Sequence, residues 1–271
     1  IIIIIIIIII IVIIIVIILI SLLLLASLLP HLTFTARVNV GIVNGKEAEP
    51  HSRPYIVSLQ KFGSHTCGGS LISDQFVLTA AHCWKARDII TVVVGAHDLR
   101  NSKASDRYTV MSYIPHPEYV GRPNPIRNDI MLLRLENPVE LNSNVSLIPL
   151  PNEGEEVGTD AVCSVAGWGR LSTFGHGSSV LMEADTTTMA QTECERSWGF
   201  RYFDVGQMLC AHGGGGSCQG DSGGPLVCGN TTVGVTSFGS SRQCNSAWIP
   251  NVYTKISTYI QWIRQEMGNI Y

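Results

Sequence analysis

A serine that could act as a nucleophile lies in the C-terminal third of the chain, in the segment Gly216–Pro225. This segment reads Gly-Ser-Cys-Gln-Gly-Asp-Ser-Gly-Gly-Pro and places Ser222 among glycines, directly after Asp221. Glycines allow sharp backbone turns and let backbone N–H groups approach a ligand closely. Because a serine hydroxyl is a weak nucleophile on its own, this interpretation requires a base and an acid that orients the base.

Candidates for the base and the acid occur earlier in the chain. His82 ends the run Leu-Thr-Ala-Ala-His and is followed by Cys83, while Asp129 directly precedes an apolar run that begins at Ile130. Each of them alone would be interpreted as a structural histidine or as an acid at a strand edge. Together with Ser222, they are the three residue types that acyl transfer needs for base, orienting acid and nucleophile.

The elements that must position these residues are predicted to be short β-strands. Apolar runs separated by Gly, Pro, Asn and Ser recur after residue 41, with a spacing typical of a sandwich or barrel rather than of βαβ units. The predicted strands are Tyr55–Gln60, Ser70–Ile72, Phe76–Thr79, Ile89–Val94, Ile130–Leu135, Ala161–Ala166, Val180–Thr188, Pro225–Val227, Thr232–Ser237 and Asn251–Lys255. Helical periodicity predicts an amphipathic helix over Lys255–Met267, which we expect to pack against the second β unit.

The first part of the chain differs in composition from the rest. Residues 1–20 are all Ile, Val or Leu, in a chain of 271 residues with a formal net charge of −3. That charge provides no reason to expect nucleic acid or an anionic membrane surface as a partner. Two interpretations of the tract stay open: a cleaved signal peptide that ends near Ala36 after a low-complexity extension, or an uncleaved membrane anchor. Both place the remainder outside the cytosol.

The eight cysteines agree with that compartment. They all lie between Cys67 and Cys244, and their even number predicts four disulfides formed in an oxidising environment. Neither a Cys-x-x-Cys nor a His-x-x-x-His cluster occurs, so we expect no metal site, and nothing in the sequence calls for another cofactor. Sequons at Asn144 and Asn230 predict glycosylation there.

Four motifs in series resemble those of the chymotrypsin-like (trypsin-fold) serine proteases. They are Ile-Val-Asn-Gly from Ile42, Thr-Ala-Ala-His-Cys from Thr79, Asp-Ile-Met-Leu-Leu from Asp129 and Gly-Asp-Ser-Gly-Gly-Pro from Gly220. The resemblance implies an all-β fold of two six-stranded antiparallel Greek-key β-barrels, with the active site between them and a C-terminal α-helix. It divides the chain into a leader (1–36), a propeptide (37–41) and a peptidase domain (42–271). Within that domain, barrel one spans about 42–150, barrel two about 151–252 and the helix about 255–267.

The resemblance also implies roles for individual residues. Ser222 attacks the peptide carbonyl, His82 transfers the proton, and Asp129 orients His82. The N–H groups of Gly220 and Ser222 form the oxyanion hole, and His65 is interpreted as structural support for that region. Ser237 lies beside the buried aspartate. The residues that bind substrate are Ser237 and Phe238, in a segment that pairs with the peptide, and Gly216, Ser217, Gly239 and Asn251, which line the specificity pocket.

The implied pocket contains no charge. An aspartate occupies the position of Gly216 in trypsin-like relatives, so its absence here argues against a preference for Arg or Lys. We expect a chymotrypsin-like preference for large apolar residues. An elastase-like preference, or a preference for polar residues because of Asn251, stays open.

Disulfide pairing and activation are further implications of the resemblance. The pairs are Cys67–Cys83, Cys163–Cys228, Cys194–Cys210 and Cys218–Cys244. Ile42 would become a new N-terminus whose ammonium pairs with Asp221. Val40-Gly41 precedes Ile42, where most relatives have Arg or Lys. Granzymes and mast-cell proteases also lack the basic residue but generally lack the fourth disulfide, so the subfamily stays open.

The sequence therefore predicts a serine endopeptidase that is made as a zymogen and is secreted or stored in a secretory granule. Its expected partners are protein or peptide substrates and protein inhibitors, with a membrane only if the leader stays uncleaved, and we expect a monomer. The alternative is a catalytically silent relative that only binds proteins.

Overall fold

The computed structural model describes residues 11–21, 42–240, 243–244, 246 and 248–268. The chain forms two compact units, residues 1–38 and residues 39–271. In the first unit, residues 11–21 are α-helical, and most of the predicted leader lies outside the described residues, as does the whole propeptide of 37–41. Within the described part of the chain, no helix is both long enough and apolar enough to cross a membrane.

The first barrel of the larger unit is a closed antiparallel sheet of six strands in the order β2-β3-β4-β7-β6-β5. Its interior is filled by the apolar faces of these strands, with Leu59, Leu71, Leu78, Val92 and Leu133 fully buried. The strands are β2 (Ile56–Lys61), β3 (Ser64–Leu71), β4 (Phe76–Thr79), β5 (Thr91–Val93), β6 (Arg107–Pro115) and β7 (Met131–Leu135).

The second barrel also closes from six antiparallel strands, in the order β8-β9-β10-β13-β12-β11, because β8 pairs with both β9 and β11. A two-residue strand, β1 (Lys46–Glu47), pairs with β9, so the first residues of the range expected for barrel one join the second barrel. The strands are β8 (Val162–Gly167), β9 (Met182–Thr188), β10 (Met208–His212), β11 (Pro225–Cys228), β12 (Thr231–Phe238) and β13 (Asn251–Lys255). The predicted fold of two six-stranded barrels is confirmed.

Apolar side chains from both halves meet between the barrels. Tyr55 and Ile56 from the first half pack in one buried cluster with Ala166, Trp168 and Val227 from the second. The indole N–H of Trp168 donates to the backbone carbonyl of His97 over 3.0 Å, so this large side chain is also satisfied as a hydrogen-bond donor. This cluster holds the two barrels at a fixed separation, on which the cleft between them depends.

The described residues of the larger unit also form two α-helices. The first, α1 (Gln191–Trp198), was not predicted. The second, α2 (Ile260–Gly268), follows a 3-10 turn over Ile256–Tyr259 and confirms the predicted C-terminal helix. The prediction that this helix packs against the second β unit was wrong, because Ile260 and Ile263 belong to the buried cluster of the first barrel. The reason is that β13 leads the chain back toward the first barrel, where Trp262 packs against His116 with ring centroids 5.1 Å apart.

Four disulfides account for all eight cysteines. They join Cys67 to Cys83, Cys163 to Cys228, Cys194 to Cys210 and Cys218 to Cys244, which are the pairs that the resemblance implies. The first lies within the first half of the domain and the other three within the second. The cross-links therefore brace each half, while the contact between the halves is noncovalent.

Candidate active site

Ser222 lies in a tight turn between the disulfide at Cys218 and strand β11. Its carbonyl accepts a hydrogen bond from the N–H of Gly68 over 2.8 Å, which ties the turn to β3 of the other barrel. The next residue, Gly223, has a φ of +78°, and a Cβ there would collide with Thr79 Oγ1. Only glycine fits at this position, so the turn that presents the Ser222 hydroxyl depends on the Gly after it.

Two peptide planes before Ser222 are oriented by hydrogen bonds. The carbonyl of Gln219 accepts from the N–H of Arg170 over 2.8 Å, and the carbonyl of Asp221 accepts from Gly224 over 3.0 Å. In a trans peptide the C=O and the following N–H point in opposite directions. The N–H groups of Gly220 and Ser222 are therefore turned away from these partners, and neither donates to an acceptor within the described residues. Such paired free donors suit an oxyanion.

His65 supports this arrangement from the first barrel. Its Nε2 lies 2.9 Å from the carbonyl of Gly220, and its Nδ1 lies 2.8 Å from the hydroxyl of Ser58. A carbonyl only accepts, so Nε2 carries the hydrogen and Nδ1 accepts from Ser58. Burial lowers the pKa of His65 to about 4, so the ring is neutral near pH 7 and keeps this tautomer.

His82 and Asp129 form a second, adjoining unit. His82 lies in a 3-10 turn over Ala81–Cys83 shortly after β4, and Asp129 lies two residues before the start of β7. The Asp129 carboxylate accepts from His82 Nδ1 over 2.7 Å and from the His82 backbone N–H over 3.0 Å. These two bonds fix the ring, leaving Nε2 as the nitrogen that can exchange a proton in the cleft.

The second barrel completes the surroundings of Asp129. The pairing of β12 with β13 shifts register between Thr236 and Phe238, and at this irregularity the hydroxyl of Ser237 donates to Asp129 Oδ2. Thr254 on β13 donates to the Asp129 carbonyl over 2.8 Å. A register shift of this kind re-aims a side chain, and here it delivers Ser237 to a carboxylate that is 2% exposed.

The proton affinities of the pair follow from this geometry. Burial raises the pKa of Asp129, but the charge of His82 and the bonds from His82 and Ser237 outweigh it, so the net pKa is lowered. For His82, burial lowers the pKa, and the charge and hydrogen bond of Asp129 outweigh it, so the net pKa is raised. Asp129 therefore stays ionised and stabilises the protonated imidazole.

His82 and Ser222 line one cleft of about 710 Å³ between the barrels. The expected pocket residues Ser217, Gly239 and Asn251 line it as well, as does Phe238 of the segment expected to pair with the peptide, whereas Gly216 is not among the lining residues. The side chain of Asn251 occupies the base: a Cβ on Gly216 would approach its Nδ2 to 2.8 Å, and one on Gly239 would collide with its Oδ1. The structure therefore brings all the predicted pocket residues together around the Asn251 amide.

Asp221 and Ile42 are both buried in the second half. Ile42 has no exposed surface, and the Val43 carbonyl accepts from the N–H of Gly216 over 3.1 Å, which holds this segment along the pocket wall. The Asp221 carboxylate accepts from the N–H groups of Gly169 and Cys218 over 2.8 and 2.9 Å. Burial nevertheless raises its pKa to about 7, because two neutral donors do not replace a cation.

Gly169 offers a test of this burial. A Cβ at position 169 would collide with the Asp221 carboxyl group, whereas one at Gly158 would meet nothing within 4 Å. We expect Gly169→Ala to lower the free energy of unfolding by about 1–3 kcal/mol, as overpacking does. It should also reduce the peptide hydrolysis that the resemblance implies, because a displaced Asp221 would disturb the turn that orients the N–H groups of Gly220 and Ser222. Thermal unfolding and kcat/KM measure the two effects. Gly158→Ala is the matched control, and equal behaviour of the two variants would contradict the expectation.

Comparison with known proteins assigns the family. The trypsin family profile matches residues 42–263. Rat granzyme B is 40% identical over 252 residues, covering 90% of this chain and 98% of the relative, and human cathepsin G is 39% identical, covering 90% and 92%. The solved structure of neuropsin, a serine protease expressed in the limbic system of mouse brain, superposes with a TM-score of 0.77 at 37% identity, covering 83% of this chain and all of that one.

The chain belongs to the trypsin family of serine proteases, which are hydrolases with a Ser-His-Asp triad. It is accordingly a serine-type endopeptidase.

Some residues of the site were not found by sequence reasoning. Gly169 and Thr254 contact Asp221 and Asp129 across 52 and 125 positions of the chain. Neither carries a local motif. The sequence predicted only a supporting structural role for His65. Its hydrogen bonds to Ser58 and to the Gly220 carbonyl explain how it supports the turn before Ser222.

Proposed function

We propose that Ser222, His82 and Asp129 are the catalytic triad of this endopeptidase. The observation that carries the proposal is the hydrogen-bonded His82–Asp129 pair in the same cleft as Ser222. Ser222 Oγ attacks the peptide carbonyl while His82 Nε2 takes its proton. The imidazolium then protonates the leaving amine, and water repeats the sequence on the acyl-enzyme.

The N–H groups of Gly220 and Ser222 would donate hydrogen bonds to the substrate carbonyl oxygen, on which negative charge develops during the attack. Their orientation is set by the bonds to Gln219 and Asp221 carbonyls before any substrate arrives, so little reorganisation is needed during reaction. Donors of this kind typically contribute about 2.7–4 kcal/mol each to the transition state.

A fluorophosphonate probe tests this assignment directly. The protein cut before Ile42 should be labelled at Ser222, identified by mass spectrometry of the tryptic peptide, and should hydrolyse peptides. Absence of both labelling and hydrolysis, after the Ile42 N-terminus is verified, would instead support a protein that only binds.

We further propose a preference for large apolar residues before the scissile bond. None of the pocket residues Gly216, Ser217, Gly239 and Asn251 carries a charge, and the lack of an acid there disfavours Arg and Lys. The cations Lys85 and Arg122 lie elsewhere on the wall of the larger cleft. The Asn251 amide at the base shortens the pocket and offers a polar contact to the tip of the bound side chain. Residues such as Leu and Met fit this shape best, with Phe and Tyr limited by depth.

Asn251→Gly tests the depth of the pocket. We expect the ratio of kcat/KM for a Phe or Tyr substrate to that for a Leu substrate to rise about tenfold, since a misfit of a single methylene in a hydrophobic pocket already changes discrimination by about 10- to 200-fold. The measurement uses peptides that differ only at that residue. An unchanged ratio would contradict the expectation, and strong cleavage after Arg or Lys by the parent protein would overturn the pocket assignment.

The disulfides and the exposed sequons support export of the protein. Four disulfides favour an oxidising compartment, and both sequon asparagines, Asn144 and Asn230, are exposed and available for glycosylation. We propose the division into leader (1–36), propeptide (37–41) and peptidase domain (42–271), export to the extracellular space or a secretory granule, and action as a monomer that protein inhibitors can block. Sequencing the N-terminus of the secreted protein tests the boundary at Ile42.

A further inference from the structure

A second cavity adjoins the cleft. It has a volume of about 580 Å³, and three residues, Arg122, Ile126 and Phe238, line both the cavity and the cleft. The rest of its described wall is mostly apolar or ring-bearing: Pro123, Asn124, Pro125, Trp198 and Tyr202. Trp198 packs edge-on against Phe238 with ring centroids 5.0 Å apart. Arg122 is therefore the cationic side chain that lies at the boundary between the cleft and this second cavity.

The loop that carries Arg122 is held in place at both ends. Val120 and Arg127 exchange two backbone hydrogen bonds of 3.0 Å each, which close a hairpin around residues 121–126. The Arg127 guanidinium donates to the carbonyl of Ile126 over 2.8 Å and to that of Arg201 over 2.9 Å, linking the loop to the segment after α1. Arg122 is thus displayed from an anchored loop at a defined place.

The charge of Arg122 is not balanced locally. Its side chain is exposed and forms no ion pair with any described residue. Lys85 is the other cation on the cleft wall, and no carboxylate lines the described parts of the cleft or the cavity. The carboxylate nearest to Lys85 is Asp88, which pairs with the Lys61 ammonium over 2.6 Å and accepts the backbone N–H of Lys85 over 3.1 Å. Arg122 differs from Lys85 in lining both the cleft and the cavity.

The field of Arg122 reaches the reacting groups. Burial lowers the pKa of His82 and Asp129 raises it more, and the charge of Arg122 acts in the lowering direction. A charge that is felt at His82 is also felt by a peptide that lies between His82 and Phe238. An acidic side chain of that peptide would be attracted, and a basic one repelled.

We propose that Arg122 is a specificity-determining residue that favours substrates with an acidic side chain two to four residues before the scissile bond. This inference rests on the proposed function, which places that part of the substrate beside Phe238 and Gly239. The apolar cavity takes a neighbouring side chain of the same segment. The substrate class is a peptide that combines an acidic and an apolar residue ahead of the large residue in the pocket.

Matched peptides test the proposal. Each pair differs only by Glu or Gln at one of the second to fourth residues before the cut, or at the second residue after it, and kcat/KM is measured with the protein cut before Ile42. We expect the Glu peptide to be cleaved about two- to fivefold better at one of the preceding positions, the size of an exposed charge pair. The advantage should shrink toward one in about 1 M salt, because salt screens exposed charges.

Two variants assign the effect to Arg122. Arg122→Gln should abolish the Glu advantage, and Arg122→Glu should reverse it, so that a Lys peptide becomes the better substrate. Arg264→Gln, on the exposed face of α2, removes the same charge outside both cavities and should leave the ratio unchanged.

The outcomes separate the two levels of inference. Cleavage of the Gln peptides without a Glu advantage, or a Glu advantage that survives in Arg122→Gln, overturns the role of Arg122 while the endopeptidase assignment stands. A Glu advantage confined to the position after the cut also overturns it and points to Lys85. Failure to cleave any peptide, with Ile42 verified as the N-terminus, contradicts the proposed function itself.

Discussion

Ser222→Ala is expected to reduce kcat for peptide hydrolysis by about 10⁶-fold, as removal of the nucleophile does in other serine proteases. The remaining hydrolysis would come from the oxyanion donors and from substrate binding, which do not need the Ser222 hydroxyl. Single-turnover kinetics with a chromogenic ester should show no burst of released alcohol, because no acyl-enzyme forms.

The folded state supplies the control for this prediction. Ser222 is bound to β3 through its backbone carbonyl, not its hydroxyl, so Ser222→Ala should unfold within about 1 kcal/mol of the parent protein. Ser52→Ala changes an exposed serine outside the cleft and should retain full activity. Residual activity above about 1% in Ser222→Ala, with contamination excluded, would show that another group attacks the substrate.

Cutting the chain before Ile42 is expected to raise kcat/KM by about 10²–10³-fold. The new ammonium group of Ile42 would pair with Asp221, whose carboxylate is buried with only two backbone N–H donors. Breaking a buried ion pair typically costs about 3–5 kcal/mol. Forming the pair between Ile42 and Asp221 should therefore stabilise, by a similar amount, the conformation in which the Gly220 N–H faces the cleft. Active-site titration of cut and uncut protein measures the change.

The pH dependence of stability should differ between the two forms. In the uncut chain, burial raises the pKa of Asp221 to about 7, well above its ordinary value. The folded state then keeps a proton that the unfolded state has lost, so the free energy of unfolding should fall by about 3–4 kcal/mol between pH 4 and pH 7. In the cut protein, the Ile42 ammonium lowers the pKa of Asp221 and this slope should disappear.

Activity of the cut protein should be limited at alkaline pH. Pairing with Asp221 raises the pKa of the Ile42 ammonium, so the active form persists at lower pH and is lost as the pH rises through that value. Asp221→Asn is the matched variant: it should remove the pH slope of the uncut chain and abolish the gain from cutting. Activity that persists while Ile42 is shown to be deprotonated would refute the switch.

Much of this molecule could be predicted from its sequence because the chemistry is encoded locally. Glycine, aspartate and serine in one short segment specify the turn at Ser222, and an acid before an apolar strand specifies the burial of Asp129. The barrels followed from short strands and from the family motifs. These features depend on neighbours in the chain, which a single sequence displays.

The elements that were not predicted depend on contacts between residues that are far apart in the sequence. Strand β6 and strand β10 were not predicted, and in β6 the exposed Met111 breaks the apolar alternation. Helix α1 has one buried residue, Cys194, and is attached through its disulfide to Cys210 rather than by an apolar face. The position of α2 against the first barrel is likewise set by the path of β13, which periodicity does not record.

The distribution of the disulfides separates two properties of the chain. Every cross-link closes a loop inside one half, yet His82 and Asp129 come from one half and Ser222 and Ser237 from the other. All four disulfides could therefore stay intact while the two barrels move apart, and Ser222 would then no longer be aligned with His82. Intact disulfides do not guarantee an assembled active site. The mass, and the mobility in a denaturing gel, would be the same in both states.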